Sequence, residues 1–182
     1  MLRNKFLLVP LLACAIAISG GLMGCASPAS SDAMVARGIP NMPRFQKSVA
    51  VTTQGGSETG AMDSSNIANA DFAKAIEKSI VENGVFTRVV PSAGSDYLLS
   101  VSIVNMSKPI FGASFTVDME AAWSLTNAVT KAVVMRESIK SSATATMGQA
   151  LIAVTRLQLA VEGAAQENIR QGLVAISKLK LE

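Results

Sequence analysis

Residues 114–126 read SFTVDMEAAWSLT. Phe115, Val117, Met119, Ala121, Trp123 and Leu125 fall on one side of an extended chain, and Ser114, Thr116, Asp118, Glu120, Ser124 and Thr126 fall on the other. A side-chain repeat of two with one polar face identifies an antiparallel strand covered on one side only. A turn near 127–131 leads into residues 132–143, which pair back as a hairpin. There Val133, Met135 and Ile139 are expected inward, while Arg136, Ser138 and Lys140 face outward, within reach of Asp118 and Glu120 across the ladder. Glu137 falls on the apolar parity, which puts it near a sheet edge or beside an arginine.

Shorter runs extend the sheet. Residues 47–53 (KSVAVTT), 86–90 and 96–106 read as strands, with Tyr97, Leu99, Val101 and Ile103 on one side of the last. Tyr97 and Trp123 both sit at core parity. A helix is predicted from a cap at Ser65 or Asn66 to Asn83-Gly84, its stripe made by Ala68, Phe72, Ala75, Ile76 and Ile80. A second, about 30 residues long, covers 148–178 on the stripe Val154, Leu157, Val161, Ala165, Ile169, Leu173 and Ile176. It would outrun a five-stranded sheet unless it kinks near Gly163 or overhangs, since it would extend some 45 Å. One apolar stripe per helix gives an α+β fold: a two-layer sandwich, a mostly antiparallel sheet of about five strands with two helices on one face.

The amino-terminal region has another character. Arg3 and Lys5 precede an apolar run, 6–18, and Ser19-Gly20-Gly21 leads to Leu22-Met23-Gly24-Cys25. This is the layout of an export signal, too short for a membrane-spanning helix of about 20 residues. It resembles the lipobox of bacterial lipoproteins. The resemblance implies cleavage between Gly24 and Cys25, a thioether-linked diacylglycerol on Cys25, and subsequent acylation. Ala26, rather than an aspartate, follows, which resembles the lipoproteins sent to the outer membrane. Three segments are therefore expected: a signal peptide over 1–24, a lipidated cysteine with a flexible tether over 25–45, and a single domain over 46–182. Some 20 flexible residues span about 25 Å. Met34, Val35, Ile39 and Met42 offer a second possibility, docking on the domain or on a partner.

Composition narrows the function. The chain has 16 basic and 13 acidic residues and no histidine. Loss of Arg3 and Lys5 with the signal leaves 14 against 13, so no basic surplus points to nucleic acid. Cys14 leaves with the signal and Cys25 is the lipid site, so no thiol remains for a disulfide. Without histidine or a free thiol, the usual general base, metal ligand and nucleophile systems are missing. No catalytic residue, metal or cofactor is assigned.

Weaker features remain. Gly55-Gly56-Ser57-Glu58-Thr59-Gly60 lacks the lysine and following helix of a phosphate loop and reads as a loop between strand and helix. Asp118, Glu120 and Glu58 are the acids that an enzyme acting on cell wall or lipid would use; simple polar dressing is the plainer reading. Ile110 and Phe111 lie at a loop tip, either touching lipid or a partner or folded back over the sheet. Arg156, Glu162 and Arg170 lie on the last helix, as a solvated network (Glu167 can pair with Arg170) or as a docking face. A third possibility makes the hairpin 115–143 a membrane-crossing piece of an oligomeric pore, with Phe115, Val117, Met119, Trp123 and Leu125 toward lipid.

Two short motifs, Gly84-Val85-Phe86 after the helix and Asp96-Tyr97-Leu98-Leu99 leading to Val101, resemble the auxiliary lipoproteins of envelope ABC transport systems and the amino-terminal domain type of TolB. That resemblance bears on the fold more than on the role. The lipid anchor, the tether, the missing histidine and thiol and an accessible sheet edge lead to the expectation of an outer-membrane lipoprotein facing the periplasm that binds another envelope protein without catalysis.

Overall fold

The computed structural model describes residues 27–60 and 65–181. Its elements run β1 (Phe45–Gln54), α1 (Asn69–Asn83), β2 (Phe86–Val89), β3 (Tyr97–Ser107), β4 (Ser114–Asn127), β5 (Val133–Thr146) and α2 (Ala153–Ser177). One sheet has the order β2-β1-β3-β4-β5. The α+β class, the five strands and the two covering helices stand as expected. The sheet is mixed: β1 pairs parallel with β2 and β3, and only β3–β4–β5 is antiparallel. The helix between β1 and β2 imposes the parallel pairing of those two, because a chain that crosses back along a helix re-enters the sheet in the same direction.

The alternation of 114–126 becomes the floor of the core. Phe115, Val117, Met119, Ala121, Trp123 and Leu125 are all buried, joined by Tyr97, Leu99, Val101 and Ile103 of β3. Both helices add to the same cluster, α1 through Phe72, Ile76 and Ile80, α2 through Val161, Ile169, Leu173 and Ile176. With its apolar side covered by α2, the hairpin does not offer that side to lipid, and the pore reading of it is set aside. No helix among the described residues is long and apolar enough to cross a membrane.

Three expectations are corrected. Val133 points out rather than in, because a bulge between Leu125 and Thr126 pairs Leu125 with Met135 but Thr126 with Val133, which reverses the parity. α1 starts at Asn69, with no side-chain cap. Ser65 instead donates to the Ser27 carbonyl (2.7 Å), and the Asn66 amide donates to the Glu58 carbonyl (3.2 Å). Val154 is off the buried face of α2, which begins five residues later than expected. The carboxyl end of α1 is as the sequence predicts. Gly84 takes φ 65° in the left-handed region, its N–H reaches Val81 O, and Val85 N–H reaches Ile80 O, the paired bonds of a Schellman motif.

Two polar pins fix the layers. Trp123 Nε1 donates to Asn168 Oδ1 (2.9 Å), and Asn168 Nδ2 donates to the Ile139 carbonyl (2.9 Å), all buried. Truncating Asn168 leaves buried groups unmet at once. Asn168→Ala should lower unfolding stability by about 2–3 kcal/mol in denaturant titrations. At the other end of the sheet, the Asp96 carboxylate accepts from the Ser48 hydroxyl (2.6 Å) and the Ser48 N–H (2.7 Å), joining β3 to β1. The Ser48 hydroxyl, then its N–H, holds the Asp96 carboxyl below its ordinary 3.8. A depressed folded-state value contributes stability that is complete above the ordinary carboxylate range and is lost as pH falls through the depressed value. Asp96→Asn should therefore lower stability at neutral pH and make its decline below about pH 4 shallower, as read by denaturation midpoints across pH.

Candidate functional site

The stretch expected as a tether is in part folded onto the domain. Ala29, Met34, Val35 and Ala36 are buried, and Ile39 is nearly so. The reason is the spacing of apolar residues in a segment otherwise made of small and polar ones: they fill the cleft between α1 and α2. On the α1 side, Ala36 N–H donates to Ser79 Oγ (2.9 Å), Ile39 N–H donates to Asn83 Oδ1 (2.9 Å), and Asn83 Nδ2 donates to the Ala36 carbonyl (2.7 Å). Arg37 pairs with Glu82 (2.9 Å) and Lys78 with Asp32. The Lys78 ammonium, by hydrogen bond and then by charge, holds the Asp32 carboxyl below its ordinary value.

On the α2 side the bonds form an ordered series. Gln158 donates to the Pro28 carbonyl (3.1 Å), Glu162 accepts from the Ser30 N–H (2.8 Å), and Gln166 donates to the Val35 carbonyl (2.9 Å). Positions 158, 162 and 166 lie one turn apart, so the segment runs alongside α2 in the same direction. Followed backward, it heads toward the amino-terminal end of α2. The signal available in the sequence was Ser79, a polar residue on the buried stripe of α1, together with the apolar run at 34–36.

Arg156 builds that end of the molecule. Its guanidinium is buried and donates to the carbonyls of Ala150 (2.9 Å), Leu151 (3.0 Å) and Gly112 (3.1 Å), while stacking 4.9 Å from the centre of the Phe115 ring. It therefore ties the loop before β4 to the turn before α2. Ile110 and Phe111 project from that loop, 91% and 85% exposed. Of the residues expected to meet a partner, Ile110 and Phe111 are at the surface. Arg156 and Glu162 are buried and engaged within the chain, so they present no face to another molecule.

Arg170 is exposed and donates to Glu167 (2.7 Å), which raises the arginine and lowers the glutamate from their ordinary values. It borders the outer side of α2, where an open groove of about 370 Å³ runs past Glu137, Lys140 and Lys178. A larger groove of about 790 Å³ adjoins it, between Gly163 and Gln171 of α2 and Asp118, Glu120 and Lys140 on the sheet. Here Glu120 accepts from Ser138 (2.6 Å) and faces Lys140 (3.8 Å), as the ladder predicts. The β5 edge is partly closed, since α2 approaches Ala143 at Gly163 and Asn168 takes the Ile139 carbonyl. Glu58 sits exposed on its loop, whose Gly56 N–H donates to Asn69 Oδ1 (2.8 Å). Among the described residues no cluster of three or more acidic, cysteine or histidine side chains is placed to hold a metal. Gly24 and Cys25 lie outside the described residues.

No family model and no curated protein matches the chain. Solved structures do. A Xanthomonas campestris protein of the DUF330 family model superposes with a TM-score of 0.61 at 13% identity, over 79% of this chain and 90% of its own. A hypothetical protein from Chlamydia trachomatis gives 0.52 at 9% identity, over 73% and 96%. The PelC dodecamer of Paraburkholderia phytofirmans gives 0.50 at 14% identity, over 79% and 93%. At these identities the likeness defines a shared fold.

Glu162 joins the amino-terminal segment to α2 by one carboxylate. Glu162→Ala should raise hydrogen exchange across residues 29–36 severalfold or more, as loss of a charge-assisted bond worth about 1.5–3 kcal/mol would allow, while the β3–β5 amides keep their protection.

Proposed function

We propose that the protein is a lipid-anchored envelope protein whose folded domain is a non-catalytic binding or accessory module for another envelope component, in transport or assembly machinery, on the periplasmic side of the outer membrane. The observation that carries this reading is the join between the lipobox and the domain. Only Ala26 separates Cys25 from Ser27, whose carbonyl is already bonded to Ser65. A lipid on Cys25 would therefore hold the domain directly, with little free chain between. The lack of histidine in the whole sequence and of any thiol after Cys25 supports a role in binding over catalysis. The grooves flanking α2, edged by Arg170 and Glu167, offer a partner a polar surface of mixed charge.

Intact-mass analysis of protein extracted from membranes should give a chain that begins at Cys25 and carries diacylglycerol and an amide-linked acyl group. Cys25→Ser should keep the leader and leave the outer-membrane fraction. A photo-crosslinker at Arg170 in intact cells should recover one defined envelope protein. A free thiol at Cys25 overturns the anchor, and crosslinking no higher than at Val129, at the distant hairpin turn, overturns the binding role.

A further inference from the structure

Two apolar loop segments meet at one end of the molecule, where three strands begin or end. β3 ends there at Ser107, β4 starts at Ser114, and β5 finishes at Thr146, paired to Ser114. The loop between β3 and β4 carries Ile110 and Phe111, and the turn after β5 carries Met147, Leu151 and Ile152; all five are exposed, Leu151 by 80%. Arg156 holds both loops on one guanidinium, through Gly112 on one side and Ala150 and Leu151 on the other. Large apolar side chains gathered at one place on a soluble face mark a contact surface. Three backbone carbonyls that would otherwise need water are already bonded inward, and that suits a loop lying where water is scarce.

The path of the chain says what covers this surface. Residues 35, 30 and 28 meet α2 at 166, 162 and 158 in turn, so the segment climbs toward the same end. Ser65 takes the Ser27 carbonyl, and Lys108, two residues before Ile110, donates to the Ser65 carbonyl (3.1 Å) and to Asn66. Ser27, the first described residue after the lipobox, is thus linked through Ser65 and Lys108 to the base of the apolar loop. Two residues of chain span at most about 7 Å, which limits how far from Ser27 a lipid attachment point on the lipobox can stand.

We propose that Ile110, Phe111, Leu151 and Ile152 seat at the boundary between headgroups and acyl chains of the bilayer that holds Cys25, so that the domain is oriented on the membrane as well as attached to it. The inference rests on the lipid-anchored reading above. The β4–β5 turn, some 14 residues along β4, then points away from the membrane.

Purified lipidated protein, floated with vesicles of phosphatidylethanolamine, phosphatidylglycerol and phosphatidylcholine brominated on its acyl chains, tests this. Phe111→Trp and Leu151→Trp should each lose severalfold more emission than Val129→Trp, measured over the constant background of buried Trp123. If the protein floats but Phe111→Trp and Leu151→Trp are quenched no more than Val129→Trp, the orientation is wrong, whether those loops face solvent, a second copy or another protein. If the protein does not float, the anchor itself fails, and the inference with it.

Discussion

Trp123 lies with its six-membered ring against Gly172 of α2, so close that a Cβ placed there would come 2.5 Å from the ring. Its indole N–H is bonded to Asn168 one turn earlier. The largest side chain of the sheet therefore demands a helix that is missing a side chain at one position and carries an amide at another. β4 supplies the apolar floor, but α2 fits that floor in one register only. A shift of α2 by a single residue would drive a side chain into the indole and strand the Trp123 N–H and the Ile139 carbonyl without partners, each costing about 1–3 kcal/mol. Gly163 repeats the arrangement at β5, where Ala143 Cβ would lie 2.9 Å from an added Cβ. Close packing of this kind fixes position more than it adds stability, because core volume alone tolerates many arrangements.

Once α2 is fixed, both ends of the molecule follow. Arg156 stands on the first turn of α2, so its guanidinium is delivered to Gly112, Ala150 and Leu151 without any cap on the helix itself. The series Gln158, Glu162 and Gln166 is delivered to the amino-terminal segment. That segment bridges α1 and α2, which otherwise meet little, and Met34 and Ala36 complete the core between them. The buried polar side chains of α2 are thus the means by which the sheet, the loops and the leading segment are held in one frame.

Periodicity made the sheet and both helices legible. The stripe Val161, Ala165, Ile169, Leu173 and Ile176 and the alternation in β4 each follow from a geometry that repeats along the chain, and each lands on the core. What the sequence hid was pairing between distant polar residues. Ser65 and Asn66 look like helix caps because hydroxyl and amide side chains satisfy free N–H groups at a helix start, yet both are claimed by chain far away in sequence or across a loop. Arg156 and Glu162 look solvated because charged residues on a helix usually are, and nothing local reveals that a loop and an amino-terminal segment close over them. The bulge at Val133 is hidden for the same reason, since one inserted residue changes parity without changing composition.

The amino-terminal segment shows why this matters for function. Had residues 27–39 been a free linker, a lipid at Cys25 would tell only that the domain stays within a few tens of ångströms of a membrane, since such a chain samples every orientation. Bound along α2 and α1 by seven backbone-to-side-chain hydrogen bonds, the segment converts a point of attachment into a direction. Those contacts are individually modest, and the burial of Ala29, Met34, Val35 and Ala36 adds to them. Orientation then depends on the apolar residues in the cleft more than on the ion pairs at its rim, for Asp32 with Lys78 and Arg37 with Glu82 are exposed and screened.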